Sequence, residues 1–254
     1  MSFAQTILDA RGRRLLIGGH RGHLSQVREN TTANFAQVLG MGVDYIEIDV
    51  QLSRDGQAVI FHDMELAERT PLSGRIHDYT VAQLKAAFEL DTLEEALRWC
   101  KAHQMRVLLE IKGRELETHD DMPILAQRIV EALREADAFD DVIVFGIDHA
   151  TLRRITDMEP RTVIALIVPH VPHDPAALMK DMGALIYLCF IDNLSRPLVE
   201  QLHAAGYIVD GSVINSPERL QLALDIGCDM IESDVPDQVI AWYQAMGREA
   251  EHHA

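Results

Sequence analysis

The chain is short of aromatic residues, basic residues and cysteine: aromatics make up 6% of its 254 residues, 23 Lys and Arg face 40 Asp and Glu, and there are three cysteines. Each scarcity excludes something. A formal charge of −17 repels nucleic acid and anionic membrane surfaces, so neither is an expected partner. An anionic substrate would need locally placed cations or a bound metal. Cys100, Cys189 and Cys228 lie far apart without a CxxC pair, which reads as reduced, buried thiols rather than a disulfide framework. No apolar run approaches the roughly 20 residues of a membrane span. The start, MSFAQTILDARGRRLLIGG, places its basic triplet after its first apolar residues, unlike a secretory signal. A cytoplasmic protein with no stable membrane association is expected. With so few aromatics, core packing must rest on Leu, Ile, Val, Ala and Met.

What is present is alternation. Strand-like apolar runs fall at 15–19, 45–50, 58–62, 107–111, 142–146, 162–168, 185–191, 207–211 and 230–233, with segments of helical period between most of them. Such repetition calls for parallel βα units. One run breaks the rhythm: only seven residues, QLSRDGQ, separate Val50 from Ala58. A parallel crossover needs a dozen or more, whereas Asp-Gly suits a hairpin. Setting that antiparallel excursion aside leaves eight units, the number that closes a TIM (β/α)8 barrel; an open doubly wound sheet is the alternative. No linker divides residues 1–254, so a single barrel domain with a compact insert around 51–90 is expected. Thr92 with Glu95 and Ser216 before Pro217 read as helix starts, and Gly183, Gly206 and Gly227 as helix stops. The last residues, with His252 and His253, read as a polar tail.

The charges that matter sit where strands end. Glu47 and Asp49 are two apart in the apolar run YIEIDV and so point to one face. Buried together they repel and are desolvated, which a divalent cation or buried basic partners would relieve. Glu110, in VLLEIKG, comes from another strand end, with Lys112 on its face. The three carboxylates form a hard-oxygen set suited to Mg²⁺ or Ca²⁺, with Mn²⁺ also acceptable, and lack the thiolates that favour zinc. His20, in GGHRGH, ends the first strand. If the hairpin folds over the rim, His62 returns toward Glu47 and Asp49 to face His20, and two imidazoles there suit acid/base work. Arg21 and Lys112 are the local cations for a phosphate. Those glycines do not match GxGxxG, and no GxxxxGK[ST] occurs. His23 reads as a solvent-side loop residue.

Several blocks together resemble the glycerophosphodiester phosphodiesterase family: HRG at 20–22, ENT at 29–31, EIDV at 47–50, DG and VIFHD within 55–63, LAERT at 66–70, TLEEAL at 92–97, EIK at 110–112, INSPE at 214–218 and GCDMIESDVPD at 227–237. Their order and spacing span nearly the whole chain. The resemblance implies a TIM barrel, a divalent cation, and hydrolysis of a small glycerophosphodiester to glycerol 3-phosphate and an alcohol, by way of a cyclic phosphate. It assigns acid/base roles to His20 and His62, metal ligation to Glu47, Asp49 and Glu110, and phosphate contacts to Arg21 and Lys112. Glu29 and Asn30 would shape the rim. Two departures stand out: Arg28 replaces a proline, and Ser212 stands where members often carry a Trp near the glycerol, with Phe190 or Tyr187 as substitute aromatics. A lysophospholipase D-like or cyclic-phosphate-forming enzyme on a larger substrate, and a non-catalytic phosphodiester-binding barrel, remain alternatives.

Overall fold

A computed structural model describes residues 1–112 and 121–247, so the expected His252 and His253 tail lies outside the described residues. Strands β1 (Leu16–His20), β2 (Tyr45–Leu52), β4 (Val107–Ile111), β5 (Val142–Gly146), β6 (Val163–Ile167), β7 (Ile186–Phe190), β8 (Ile208–Ser212) and β9 (Met230–Ser233) pair in parallel, and β1 joins both β2 and β9. The sheet therefore closes into an eight-stranded barrel. β3 (Ala58–Ile60) pairs antiparallel with β2, as the seven-residue spacer predicts. All nine expected strands are present, within a residue or two at their ends.

Helices α2 (Thr32–Val38), α4 (Leu93–Ala102), α5 (Met122–Glu135), α6 (His149–Met158), α7 (Pro175–Met182), α8 (Arg196–Ala204), α9 (Pro217–Ile226) and α10 (Pro236–Ala245) follow the barrel strands and jacket them. Their apolar stripes bury Leu, Ile, Val and Ala against the outer face of the sheet. Thr92 and Glu95 exchange side-chain and backbone hydrogen bonds at the start of α4, and Gly183 and Gly227 end α7 and α9 in the left-handed conformation. None of the described helices is long and apolar enough to cross a membrane.

The barrel interior is layered. Its lower layer joins Leu16, Leu108, Ile143, Ile186, Ile208 and Met230, all near strand starts. The sequence pattern did not disclose what seals that end. Helix α1 (Phe3–Ala10) inserts Phe3 and Ile7 beneath the layer, the Phe3 ring 5.4 Å from that of Tyr45. Burying each of these side chains contributes about 2 kcal/mol. Tyr45 lies across Gly18, where a Cβ would come within 2.4 Å of the ring. The interior then turns polar toward the strand ends. Tyr45 Oη donates to the Ile231 carbonyl at 3.0 Å and lies 3.3 Å from Asp210, and the Ser212 hydroxyl donates to Asp210 at 2.5 Å.

The segment around β3 carries its own small core. Val59, Phe61, Leu66, Ile76, Leu84 and Leu90 cluster together, with 3₁₀ turns at Leu66–Glu68 and Ile76–Asp78 and helix α3 (Val81–Ala87) around them.

Burial pushes the Asp210 carboxyl up to about 6, against the hydrogen bonds from Ser212 and Tyr45. The unfolded value is about 3.9, so the folded state holds this proton more tightly. That contribution to stability is full below pH 4 and is lost as pH rises through 6. Replacing Asp210 by Asn removes the loss. Urea unfolding midpoints, compared as variant minus parent, should therefore move in the variant's favour between pH 4 and pH 7.

Candidate active site

Glu47 and Asp49 follow Tyr45 on the inward face of β2, and the closure of β1 onto β2 sets His20 opposite Glu47. On the other side Asp49 pairs in register with Glu110 of β4. Oxygens of Glu47, Asp49 and Glu110 accordingly lie within 4.8 Å of one another. Burial, followed by the charges of Asp49 and Glu110, holds the Glu47 carboxyl well above the usual range. Asp49 goes the other way. Against its burial, the Lys112, His62 and Arg21 charges and the Asn30 hydrogen bond keep it below the ordinary value.

The loop after β1 is wound to serve this pair. Arg21, at φ 55°, turns its backbone N–H onto Glu47 at 3.0 Å. Its guanidinium reaches Glu29 at 3.1 Å and lies 3.5 Å from Asp49. Gly22, at φ 96°, could not carry a side chain, because a Cβ would fall 2.1 Å from Asn34 Oδ1. That Asn34 oxygen accepts the His23 N–H at 2.8 Å. His23 is thus held within the loop, its Nε2 3.1 Å from Asp237, and is no free solvent-side residue. Asn30 is buried and bonds Asp49 twice, donating from Nδ2 at 2.7 Å and accepting its N–H at 3.2 Å. Glu29 bridges Arg21 and Arg69. Lys112 caps the cluster, 2.6 Å from Glu110 and 3.2 Å from Asp49, and these carboxylates raise its pKa against the effect of burial.

The hairpin returns His62 to the same place. Gln51 Nε2 donates to the carbonyls of Phe61, His62 and Asp63 at 2.9, 3.1 and 3.1 Å, pinning the turn after β3. Asp63 holds His62 Nδ1 at 2.8 Å and Arg69 Nε at 3.0 Å. Burial lowers the His62 pKa, opposed by Asp49. Asp234, beyond β9, holds His20 Nδ1 at 2.6 Å. Inspection of the sequence missed these two carboxylates. Asp63 was readable as the neighbour of His62, whereas Asp234 meets His20 only through barrel closure.

Both imidazoles, Arg21, Glu110, Lys112 and Glu232 face a cavity of about 280 Å³ at the C-terminal ends of the strands. Phe145, Ile147, Ile167, Leu188 and Phe190 form its apolar wall. Phe190, 59% exposed, is the register partner of Ser212, while Tyr187 is buried in the outer core and does not line the cavity. An aromatic therefore stands beside Ser212, supplied by the neighbouring strand.

The residues present fit a divalent cation. Glu47 Oε1 and Asp49 Oδ1 are buried and accept no hydrogen bond, and all three donors are carboxylate oxygens, the hard set that Mg²⁺, Ca²⁺ or Mn²⁺ takes. A closed (β/α)8 barrel with such a cluster at the strand ends has the layout of a barrel enzyme. Residues 20–238 match the glycerophosphoryl diester phosphodiesterase family. The chain is 27% identical over 239 residues to a glycerophosphodiester phosphodiesterase of Bacillus altitudinis, covering 88% of this chain and 96% of that one. Its fold is similar to that of an Oleispira antarctica phosphodiesterase solved with its product sn-glycerol-3-phosphate, at a TM-score of 0.82 and 25% identity over 90% of this chain and 96% of that one. It is also similar to a glycerophosphoryl diester phosphodiesterase structure from Silicibacter pomeroyi, at a TM-score of 0.88 and 20% identity over 97% and 99% of the two chains. The chain belongs to the glycerophosphoryl diester phosphodiesterase family and is a phosphodiesterase of that type.

Replacing Asp63 by Ala releases His62 and Arg69 together. Amide hydrogen exchange should accelerate at residues 62–70 and 29–31 and stay unchanged in the barrel strands.

Proposed function

We propose that the protein hydrolyses small glycerophosphodiesters to glycerol 3-phosphate and an alcohol, with His20 and His62 as the proton-transfer pair. The observation that carries this reading is the convergence of two carboxylate-held imidazoles and two cations on one cavity above a buried carboxylate cluster. The Oleispira antarctica relative, with sn-glycerol-3-phosphate as its product, supports the choice of substrate class.

Asp234 and Asp63 occupy Nδ1 of the two rings, which leaves Nε2 of each to exchange protons with substrate. One histidine takes the proton of the glycerol 2-hydroxyl as that oxygen attacks phosphorus, and the other protonates the departing alcohol. The hydroxyl is already tethered to the phosphate, so attack is intramolecular and needs only orientation. The cyclic phosphate that results is opened by water with the histidine roles exchanged. Arg21 and Lys112 hold the phosphoryl oxygens, and Glu29 and Asn30 fix Arg21 and Asp49 beneath them. Glu47, Asp49 and Glu110 would hold Mg²⁺, Ca²⁺ or Mn²⁺, which when bound neutralises phosphoryl charge and acidifies a nearby hydroxyl. The three cysteines are free and buried, which accords with a reducing, cytoplasmic setting.

The test is a panel of glycerophosphodiesters assayed with each cation for release of glycerol 3-phosphate. Chelation should abolish turnover, and at least one of the three ions should restore it. Failure of all three ions to bind or to support activity overturns the metal assignment. Replacement of His20 or His62 by Ala should cut turnover at least about tenfold with unchanged circular dichroism, general acid/base groups contributing roughly a hundredfold or more. Near-normal turnover in both variants overturns the histidine roles. Phosphorus NMR separates full hydrolysis from arrest at the cyclic phosphate.

A further inference from the structure

Among the described residues, Glu232 is the one cavity-facing carboxyl that the proposed mechanism leaves without work. It lies on β9 opposite Gly18 in register, is 3% exposed and lines the same cavity as the two histidines. Its backbone is fully engaged, the N–H donating to Ser212 Oγ at 2.9 Å and the carbonyl accepting from Ile214 at 2.8 Å. Its side chain is not: Oε1 is buried and accepts no hydrogen bond, and among the described residues no Arg, Lys or His pairs with it. Nor does it belong to the cluster of Glu47, Asp49 and Glu110. Ser212, already donating to Asp210, has no proton left to satisfy it.

A buried oxygen without a partner destabilises the fold, and an apolar residue of similar volume would pack there at less cost. Among the described residues nothing completes Glu232, and the side chain lines a cavity through which a group from outside the chain can reach it. We propose that Glu232 is a substrate-binding residue that takes a hydroxyl of the diester. This rests on the phosphodiesterase reading, under which every substrate brings free glycerol hydroxyls into the cavity whatever its leaving alcohol. Ser212, a small side chain, lines the same cavity beside Glu232.

The experiment compares the parent with Glu232→Leu and Glu232→Gln on glycerophosphoglycerol, glycerophosphoethanolamine and glycerophosphocholine, with thermal melts of all three proteins. Glu232→Leu should raise KM about tenfold, the equivalent of one hydrogen bond to a carboxylate, with a smaller change in kcat. Its Tm should rise by about 3 °C, because the orphan oxygen is gone. Glu232→Gln, which keeps an acceptor, should recover most of the KM. A loss equal on all three substrates places the hydroxyl on the glycerol half, and a loss confined to glycerophosphoglycerol places it on the leaving alcohol; either supports the assignment. Unchanged KM in Glu232→Leu, a loss confined to glycerophosphoethanolamine, or a fall in Tm without a KM effect overturns it. A parent inactive on every diester would instead overturn the phosphodiesterase reading.

Discussion

Two carboxylates two residues apart on an interior strand set the terms for everything around them. Glu47 and Asp49 are both excluded from water, and each charge raises the cost of the other. The chain answers with groups drawn from separate elements: the backbone N–H and guanidinium of Arg21 from the loop after β1, the amide of Asn30 from the approach to α2, and Lys112 from the end of β4. Arg21 and Asn30 both take positive φ to do so, a conformation that ordinary residues adopt at a cost. The pairing is still incomplete, since Glu47 Oε1 is buried and accepts no hydrogen bond, while Asp49 Oδ1 has only the Lys112 ammonium at 3.2 Å. That residual demand leaves the cluster of Glu47, Asp49 and Glu110 able to take a cation.

Much of this was readable from the sequence, for identifiable reasons. The barrel followed from counting strands and noticing one spacer too short for a crossover. The carboxylates and histidines stood out because charged side chains in apolar runs at strand ends are costly unless used. What escaped notice depends on closure. Asp234 meets His20 across 214 positions of sequence, and Glu232 in the block MIES looks like any acidic residue until β9 is seen to run beside β1. The sealing role of α1 was also hidden, because a short helix ahead of a basic triplet has nothing in its pattern to say which cavity it fills. Asn30 was expected at the rim, and its amide proves to be spent on Asp49. His23 misled in the opposite direction: a polar residue in a glycine loop suggested exposure, yet Asn34 gathers its backbone into the turn.

The cavity is divided by strand of origin. The early strands, the hairpin and β9 contribute the charged groups, while β5, β6 and β7 contribute an apolar wall that ends in the exposed ring of Phe190. A phosphodiester is itself divided, with a charged centre and two alcohol arms. The charged half of the cavity suits the centre, and the rest is free to vary with the arms without disturbing the chemistry.

The hairpin segment has a further consequence. Its small core of Val59, Phe61, Leu66, Ile76, Leu84 and Leu90 is separate from both barrel cores, and it carries one of the two imidazoles. Cooperative units of this size open at a lower free energy than the whole molecule. Local opening of this unit would leave the barrel intact and the carboxylate cluster complete while removing His62 from the cavity. Activity and foldedness would then be distinct quantities, coupled as tightly as β3, the Phe61 N–H on the Asp49 carbonyl, the Gln51 amide and the Arg69–Glu29 ion pair hold the segment to the barrel.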